Sequence, residues 1–591
     1  MKRNLATKTM IFALLALTTL AGAQDQEAAL PDGHHHPRYR LVDLGTFGGP
    51  ASYFPNGLDG ILNNQGVSVG WANLSTHDPL DPFCVTPTCF LTHAFEDRDG
   101  LLRDLGALPT GSDSQAVWIT GNGLIAGVAD NGEIDPLVPG FTELRGVLWR
   151  DGQIVDLGTL PEGGFESIAN AVNNRGQVVG LALNTVPDPF SFVGFPTQTR
   201  AFLWQDGTMQ DLGTLGGPDA IASFVNSRGE VSGPSYTPID PVTGAPAAVH
   251  PFLWRNGKMI DLGSLGGTDS EPTALNASGD VVGLSTLTGD LMQHPFLWRR
   301  GKLIDLGTLG GDNGTTNWIN NRGDIVGKGD LPGPAPQLHD ATLWRNGKVF
   351  DLGVLPGDSC SNAYYVNSHG QVVGTSENLD LCLIPTGQRA FLWENGGPML
   401  DLNTVIAPGA ALELTFAVAI NDRGEIAGFG VPPGCAPEDI ELCGHAYLLI
   451  PCRPDEECTN QILPGASTAV PSLVPAPRNH SQAESANPQE RLRNSLQRRF
   501  HFLERRTGPS PQSGPPEASA SKPVVHLEDT IGGLGSKRAN AAPNSCPTVR
   551  CSQNHTAGTV CGARLCGIPG FVQPIWRGFD KTYNRACFYG C

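Results

Sequence analysis

Across 591 residues the chain has a formal net charge of −19, with only 16% of its residues charged and with 74 Gly and 48 Pro. That much punctuation excludes a mainly helical protein and suits many short strands joined by turns. The acidity is uneven: residues 24–460 hold 51 acidic against 21 basic side chains, and residues 461–591 hold 7 against 15. The acidic part is excluded as a nucleic-acid binder, since phosphate contacts need clustered Lys and Arg.

Residues 1–23 (MKRNLATKTMIFALLALTTLAGA) read as a secretory signal peptide. Lys2, Arg3 and Lys8 precede an apolar run from Met10 to Leu20, and Ala21-Gly22-Ala23 supplies the small-residue cleavage site. No later stretch approaches the roughly 20 apolar residues of a membrane span. The address is therefore secreted, periplasmic or cell-surface, with no transmembrane segment. In that compartment the 14 cysteines read as disulfides. Residues 24–37, with His34-His35-His36, read as a disordered leader.

From residue 38 to 451 three phrases recur in fixed order. "DLG" begins at Asp43, Asp104, Asp156, Asp211, Asp261, Asp305, Asp351 and, as "DLN", Asp401. A phrase of the form (I/V/L)N-x-x-G-x-(V/I)-x-G ends at Gly70, Gly127, Gly180, Gly233, Gly283, Gly327, Gly374 and Gly428. The third, (H/R)-(A/P)-F-L-W-x-x-G, centres on Phe95, Val147, Phe202, Phe252, Phe296, Thr342, Phe391 and Tyr447. Short apolar runs such as Gln371-Val372-Val373 and Phe252-Leu253-Trp254 are strand formers. Asn-x-x-Gly marks one hairpin and R-N-G or Q-D-G a second. One unit is thus four strands: A ending in Asn, B ending in Gly, C carrying F-L-W and D carrying D-L-G.

Four short antiparallel strands at this period predict an all-β fold, a β-propeller of eight four-stranded blades. The repeat region opens with a lone D strand, Tyr39–Gly45, and ends with A, B and C strands up to Ile450. The N-terminal strand is therefore expected to complete the last blade, which hides sheet edges that an open stack would expose.

These phrases resemble the HAF repeats of bacterial extracellular repeat proteins, named for the triplet that stands here at His93-Ala94-Phe95. The resemblance spans roughly residues 38–450 and implies an exported bacterial repeat protein, with no biochemical role attached.

Within a blade the B–C loop and the D-to-next-A loop emerge on one face. The B–C loops, such as 71–92, 181–199, 234–249 and 429–444, vary in length and sequence, as recognition loops on a rigid scaffold do. Disulfides are expected between Cys84 and Cys89, Cys360 and Cys382, Cys435 and Cys443, and Cys452 and Cys458. The DLG aspartates recur in every unit, which points to a structural task such as accepting backbone hydrogen bonds from a turn. The strand-C tryptophans (Trp149, Trp204, Trp254, Trp298, Trp344, Trp393) read as packing between blades, since the docking motif of quinone-dependent propellers is missing. Two acidic loop clusters are calcium candidates: Glu438, Asp439 and Glu441, and Asp130, Glu133 and Asp135. Neither has the spacing of a defined calcium loop, and no other cofactor is expected. No H-E-x-x-H or phosphate-loop motif occurs.

Residues 452–545 read as a Pro- and Ser-rich linker. Within it, 489–506 (QERLRNSLQRRFHFLERR) places Leu492, Leu496, Phe500 and Leu503 at helical spacing among six arginines. This basic amphipathic segment suits docking on anionic lipid or on the acidic propeller, or a solvated linker helix. The last segment, 546–591, holds Cys546, Cys551, Cys561, Cys566, Cys587 and Cys591, the pattern of a small disulfide module. The leading expectation is an exported, non-enzymatic binding or scaffold protein that uses the loops of one propeller face to engage an extracellular protein or glycan. The alternative is a secreted propeller hydrolase or lyase acting on polysaccharide.

Overall fold

A computed structural model describes residues 38–453, apart from 56–59, 81–83, 85, 138–139, 162, 335–337, 379–385, 395 and 408, together with Cys458. The signal peptide, the leader 24–37, the linker with its basic segment apart from Cys452, Arg453 and Cys458, and the six-cysteine module lie outside the described residues.

The described chain forms 32 strands in seven hydrogen-bonded sheets, six of four strands and one of eight. The large sheet is two four-stranded units joined by a single parallel bridge, Val249 to Asp269. Eight four-stranded units result, the β-propeller that the repeat predicts. Blade 3 is representative: strand A Ser167–Val172, B Val178–Pro187, C Thr197–Gln205 and D Thr208–Asp211, all antiparallel in sequence order. Blade 8 is assembled from both ends of the described chain. Its A, B and C strands are Glu413–Ile420, Ile426–Val431 and His445–Pro451, and its D strand is Tyr39–Asp43, paired from Tyr39↔Pro451 to Asp43↔Tyr447.

Register explains why two of the phrases travel together. The last Gly of strand B stands opposite the Phe of strand C in most blades, as in Gly180↔Phe202, Gly283↔Phe296 and Gly374↔Phe391. A Cβ on Gly180 would collide with the Ile168 carbonyl oxygen and sit 2.9 Å from the Phe202 ring. The ring fills the space the glycine leaves, and Phe95, Phe202, Phe252, Phe296 and Phe391 are all fully buried. The expected packing of the strand-C tryptophans follows the same plan. Trp149 joins a core cluster with Val67, Val69 and Ala94 of blade 1, and its indole N–H donates to the Leu105 carbonyl at 3.1 Å.

The Asn of each A–B hairpin ties one blade to the next. Asn226 Oδ1 accepts the N–H of Arg228 and of Glu230, both at 3.0 Å, which is the turn chemistry expected of Asn. Its amide donates to Glu230 Oε2 at 2.7 Å and to the Asn276 carbonyl of the next blade at 3.1 Å. Equivalent bonds run from Asn63 to Thr120 (3.1 Å), Asn173 to Asn226 (3.0 Å), Asn276 to Asn320 (3.4 Å), Asn320 to Asn367 (2.9 Å) and Asn367 to Asn421 (2.9 Å). Thr120 breaks the pattern in blade 2, and Asn122 substitutes by donating to Asn174 at 3.1 Å. Asn421 then donates to Asn63 at 3.0 Å, so the series returns to the first blade.

In six blades strand A carries a β-bulge three residues before this Asn, or before Thr120 in blade 2, for example between Ala116 and Trp118 and between Thr316 and Trp318. Bulges re-aim side chains, and Trp118, Trp318 and Tyr365 each stand just after one. Trp318 stacks on Tyr365 at 4.8 Å, and Trp118 packs against core clusters of blades 3, 4 and 5.

Candidate binding face

The two faces of the propeller differ in what occupies their polar groups. On the hairpin face, the Asn series and its i+4 partners are satisfied internally, with ion pairs such as Arg228–Glu230 (2.6 Å), Arg345–Asp324 (2.7 Å) and Arg423–Glu425 (2.6 Å). The face with the B–C and D–A loops is where the non-repeated material lies.

Each DLG aspartate sits at the edge of that loop face and has the structural task expected of it. Its carboxylate accepts the N–H two residues on in all eight blades, from Gly45 (2.9 Å) through Gly213 (2.7 Å) to Asn403 (2.9 Å). Gly is needed at most of these positions because the backbone is left-handed there, with φ of 84° at Gly213 and 79° at Gly263. The same carboxylate accepts a hydrogen bond from Nδ1 of the first residue of the H-A-F triplet: His93 to Asp104, His250 to Asp261 and His294 to Asp305, each at 2.9 Å. Arg200 pairs with Asp211 at 2.9 Å in the same way, and His445 with Asp43 at 3.0 Å across the two ends of the chain. Arg389 pairs with Asp401 at 3.0 Å likewise, whereas Arg145 pairs with Glu143 instead and blade 6 carries Asp340 at that position. For Asp104 and Asp261, burial raises the carboxyl pKa, but hydrogen bonds from His93 or His250 and from the turn glycine outweigh it and leave both below the usual range.

The B–C segments are more ordered than loops in blades 1 to 3. Strands B and C continue past the sheet as hairpins, pairing His77↔Phe90, Ile134↔Thr142 and Pro187↔Thr197. An Asp-Pro dipeptide starts each tip: Asp78-Pro79, Asp135-Pro136 and Asp188-Pro189, with Asp240-Pro241 in blade 4. The Asp carboxylate accepts the N–H two residues on, Leu80 (2.8 Å), Leu137 (2.8 Å), Phe190 (2.9 Å) and Val242 (2.7 Å). Repetition of Asp-Pro was the available signal for these residues, and a search tuned to the strand phrases misses it.

Asp78, Asp135 and Asp188 are buried, and so is a carboxyl that leads into the following blade: Asp113 and Glu166, each just before strand A, and Asp219, just before the Ala220–Ser235 bridge. Asp219 accepts the N–H of Thr199 and of Phe192, both at 2.7 Å, which fastens the blade 3 hairpin to blade 4. Phe192 also stacks on Tyr236 of blade 4 at 4.0 Å. Burial, with Asp188 alongside, pushes the Asp219 carboxyl up to about 7. Asp113 is likewise pushed up to about 7 by burial and by Asp130 and Asp78, despite two hydrogen bonds from Thr92.

Of the calcium candidates, Asp130, Glu133 and Asp135 are dispersed by this geometry. Asp130 faces back toward blade 1 and caps the D–A loop, accepting the N–H of Ser112 (2.6 Å) and of Asp113 (2.9 Å). Asp135 is buried in the hairpin tip and Glu133 is exposed. Asp439 and Glu441 are exposed beside the short helix Ile440–Cys443, and the side chain of Glu438 lies outside the described residues. Among the described residues no three His, Cys, Asp or Glu side chains converge as metal ligands.

Disulfides join Cys84 to Cys89, Cys435 to Cys443 and Cys452 to Cys458. Cys360 is also disulfide-bonded, and Cys382 lies outside the described residues. The first two close B–C loops of blades 1 and 8. Beside the blade 8 loop, an open groove of ≈ 680 Å³ runs between the D–A loop and the B–C loop, lined by Arg389, Asp401, Asn403, Glu413, Pro432 and Cys435 among others. Arg389 is held in it by Asp358 (2.9 Å) and Asp401 (3.0 Å).

No protein-family model matches the chain, and no curated protein matches it. Among solved structures it is similar to an acylaminoacyl peptidase from Pyrococcus horikoshii, at 11% identity and a TM-score of 0.33, covering 67% of this chain and 58% of that one. It is similar too to the β-propeller domain of the Trilobed protease from Pyrococcus furiosus, at 10% identity and a TM-score of 0.32, covering 62% of this chain and 98% of that one. A gluconolactonase from Xanthomonas campestris matches at 14% identity and a TM-score of 0.22, over 52% of this chain and 79% of its own. At these values none of them bears on what this chain binds. Among the described residues no helix is long and apolar enough to cross a membrane.

Proposed function

We propose that this chain is an exported, HAF-type repeat protein that binds an extracellular protein or glycan through the loop face of its propeller, without chemical turnover. The observation that carries the reading is the unequal use of the two faces. The hairpin face spends its Asn, Arg and acidic side chains on its own turns. The loop face carries the groove of blade 8, exposed apolar side chains such as Val186, Phe190 and Leu442, and loops fixed by disulfides. Rigid loops lose little entropy on binding, which is what a recognition surface requires. Disulfides in these loops also fit an oxidising compartment.

The test is binding of the full chain to arrayed glycans and to extracellular proteins, with Glu413→Lys as the probe. Glu413 is exposed in the groove, so its replacement leaves the fold intact. A ligand whose binding falls about tenfold with Glu413→Lys, a loss of about 1.4 kcal/mol, supports the reading. Release of product from a polysaccharide substrate by the wild-type chain would overturn the non-enzymatic part of it.

A further inference from the structure

The loop face concentrates negative charge with little to balance it. Each Arg among its described residues is committed to an ion pair: Arg145 to Glu143 at 2.7 Å, Arg200 to Asp211 and Arg389 to Asp358 and Asp401. Lys328 is buried there with Glu377 and Asp330 as its charged neighbours. Against these stand the exposed carboxyls of Glu133, Asp290, Glu413, Asp439 and Glu441. The same face holds exposed apolar side chains at the tips of successive B–C segments: Ile134, Val186, Ile239, Val242 and Leu291. Acidic ground with apolar studs is the complement of a basic amphipathic segment.

The chain contains one such segment. Residues 489–506 carry six arginines against Glu490 and Glu504, with Leu492, Leu496, Phe500 and Leu503 at helical spacing. The distance can be bridged. Strand C of blade 8 ends at Pro451 on the hairpin side, and a flexible chain of 30 residues, the length of 459–488, would span about 30 Å. A six-residue strand is about 20 Å long, so the segment can pass the rim of the propeller. We infer that residues 489–506 dock on the loop face and occupy it as an internal ligand, which an external partner must displace. This rests on the reading of the loop face as the recognition surface and names the chemistry it selects, a basic amphipathic polypeptide.

The test uses a fluorescein-labelled 489–506 peptide and two full-length chains, wild type and one in which Arg491, Arg493, Arg498 and Arg499 are each replaced by Glu. The charge-reversed chain, with its own segment disabled, should bind the peptide saturably, and the wild-type chain about tenfold more weakly. Raising salt from 50 to 300 mM should weaken binding further, since exposed charge pairs are screened. Hydrogen exchange of the 187–196 and 234–249 segments should be slower in wild type than in the charge-reversed chain. Equal peptide binding by both chains, or by neither, overturns the inference. So does capture of the wild-type chain by phosphatidylglycerol vesicles through 489–506 with no change in exchange on the loop face, which would make a membrane the occupant. A chain that fails to bind the peptide yet captures a glycan or protein in a Glu413-dependent way refutes this inference and leaves the proposed function standing.

Discussion

Replacing Asn421 by Ala tests whether the hairpin-face series holds blades together. The side chain is buried and makes four bonds: it donates to the Asn63 carbonyl (3.0 Å) and Glu425 Oε2 (2.6 Å) and accepts from the N–H groups of Arg423 and Glu425 (3.0 Å each). Three are between neutral groups, worth about 1 kcal/mol each net, and one is to a carboxylate, worth about 2 kcal/mol. Arg423 still neutralises Glu425 at 2.6 Å, and water recovers part of the turn, so the expected loss is about 3–4 kcal/mol. Asn421→Asp is more informative. It keeps the acceptor but loses the donor and sets a carboxylate against Glu425, so it should be worse than Ala at pH 7 and recover as the pH falls toward 4. Equilibrium urea unfolding at both pH values, with Asn276→Ala as an internal comparison, supplies the measurement. A loss below about 1 kcal/mol at both positions, the size of one ordinary bond, would refute the assignment of blade cohesion to this series.

Further outcomes follow from the loop face and the strand-A bulges. Asp219 has a folded-state pKa of about 7, above its ordinary 3.8; the protonated form favours the fold, so its contribution is full below the ordinary value and is lost as pH rises through 7. The amides of 187–196 should lose protection between about pH 4 and 7, by up to about tenfold per pH unit. Asp219→Asn should flatten that profile, and an unchanged profile would count against the pair. The DLG aspartates behave oppositely: Asp261 is held below its ordinary value, so its contribution is present above that value and fades in acid. His250→Ala should shift acid unfolding to higher pH in a circular-dichroism titration. Trp118→Ala, which empties the contact with blades 3 to 5, should cost about 3–5 kcal/mol in urea unfolding. Cys435→Ser with Cys443→Ser should leave the blades intact and abolish any ligand binding that Glu413→Lys weakens, which surface plasmon resonance with the captured ligand would check.

The periodic part of the fold was legible because each phrase reports a local requirement: Asn for a turn, Gly where a carbonyl and an aromatic ring close in, Asp where an N–H two residues on needs an acceptor. These needs are met within one blade and repeat with it. The strand-A bulges were not legible. They add a residue without breaking the apolar run, so Val117, Asn170 and Tyr364 read as ordinary strand positions. The calcium candidates illustrate a second limit. Asp130 and Asp135 are close in sequence, but strand B carries them to opposite neighbours, one to the D–A loop and one to the hairpin tip. Proximity along an extended chain does not imply convergence, since each residue adds about 3.3 Å. The blade-to-blade carboxyl pairing was half visible, as Asp-Pro in successive loops, and its partner before the next strand A carries no motif.

Tyr39 lies opposite Pro451 where the two ends of the propeller meet. Both ends of the described chain therefore leave from one edge of an antiparallel pair. A pull applied between them loads the hydrogen bonds one rung at a time, as a zipper is opened, and meets little resistance. A pull between the tail and a ligand held on the loop face runs along strand C of blade 8 and loads its rungs together in shear. The seam is weak in one direction and strong in the other, and the strong direction is the one a protein tethered by its tail would experience.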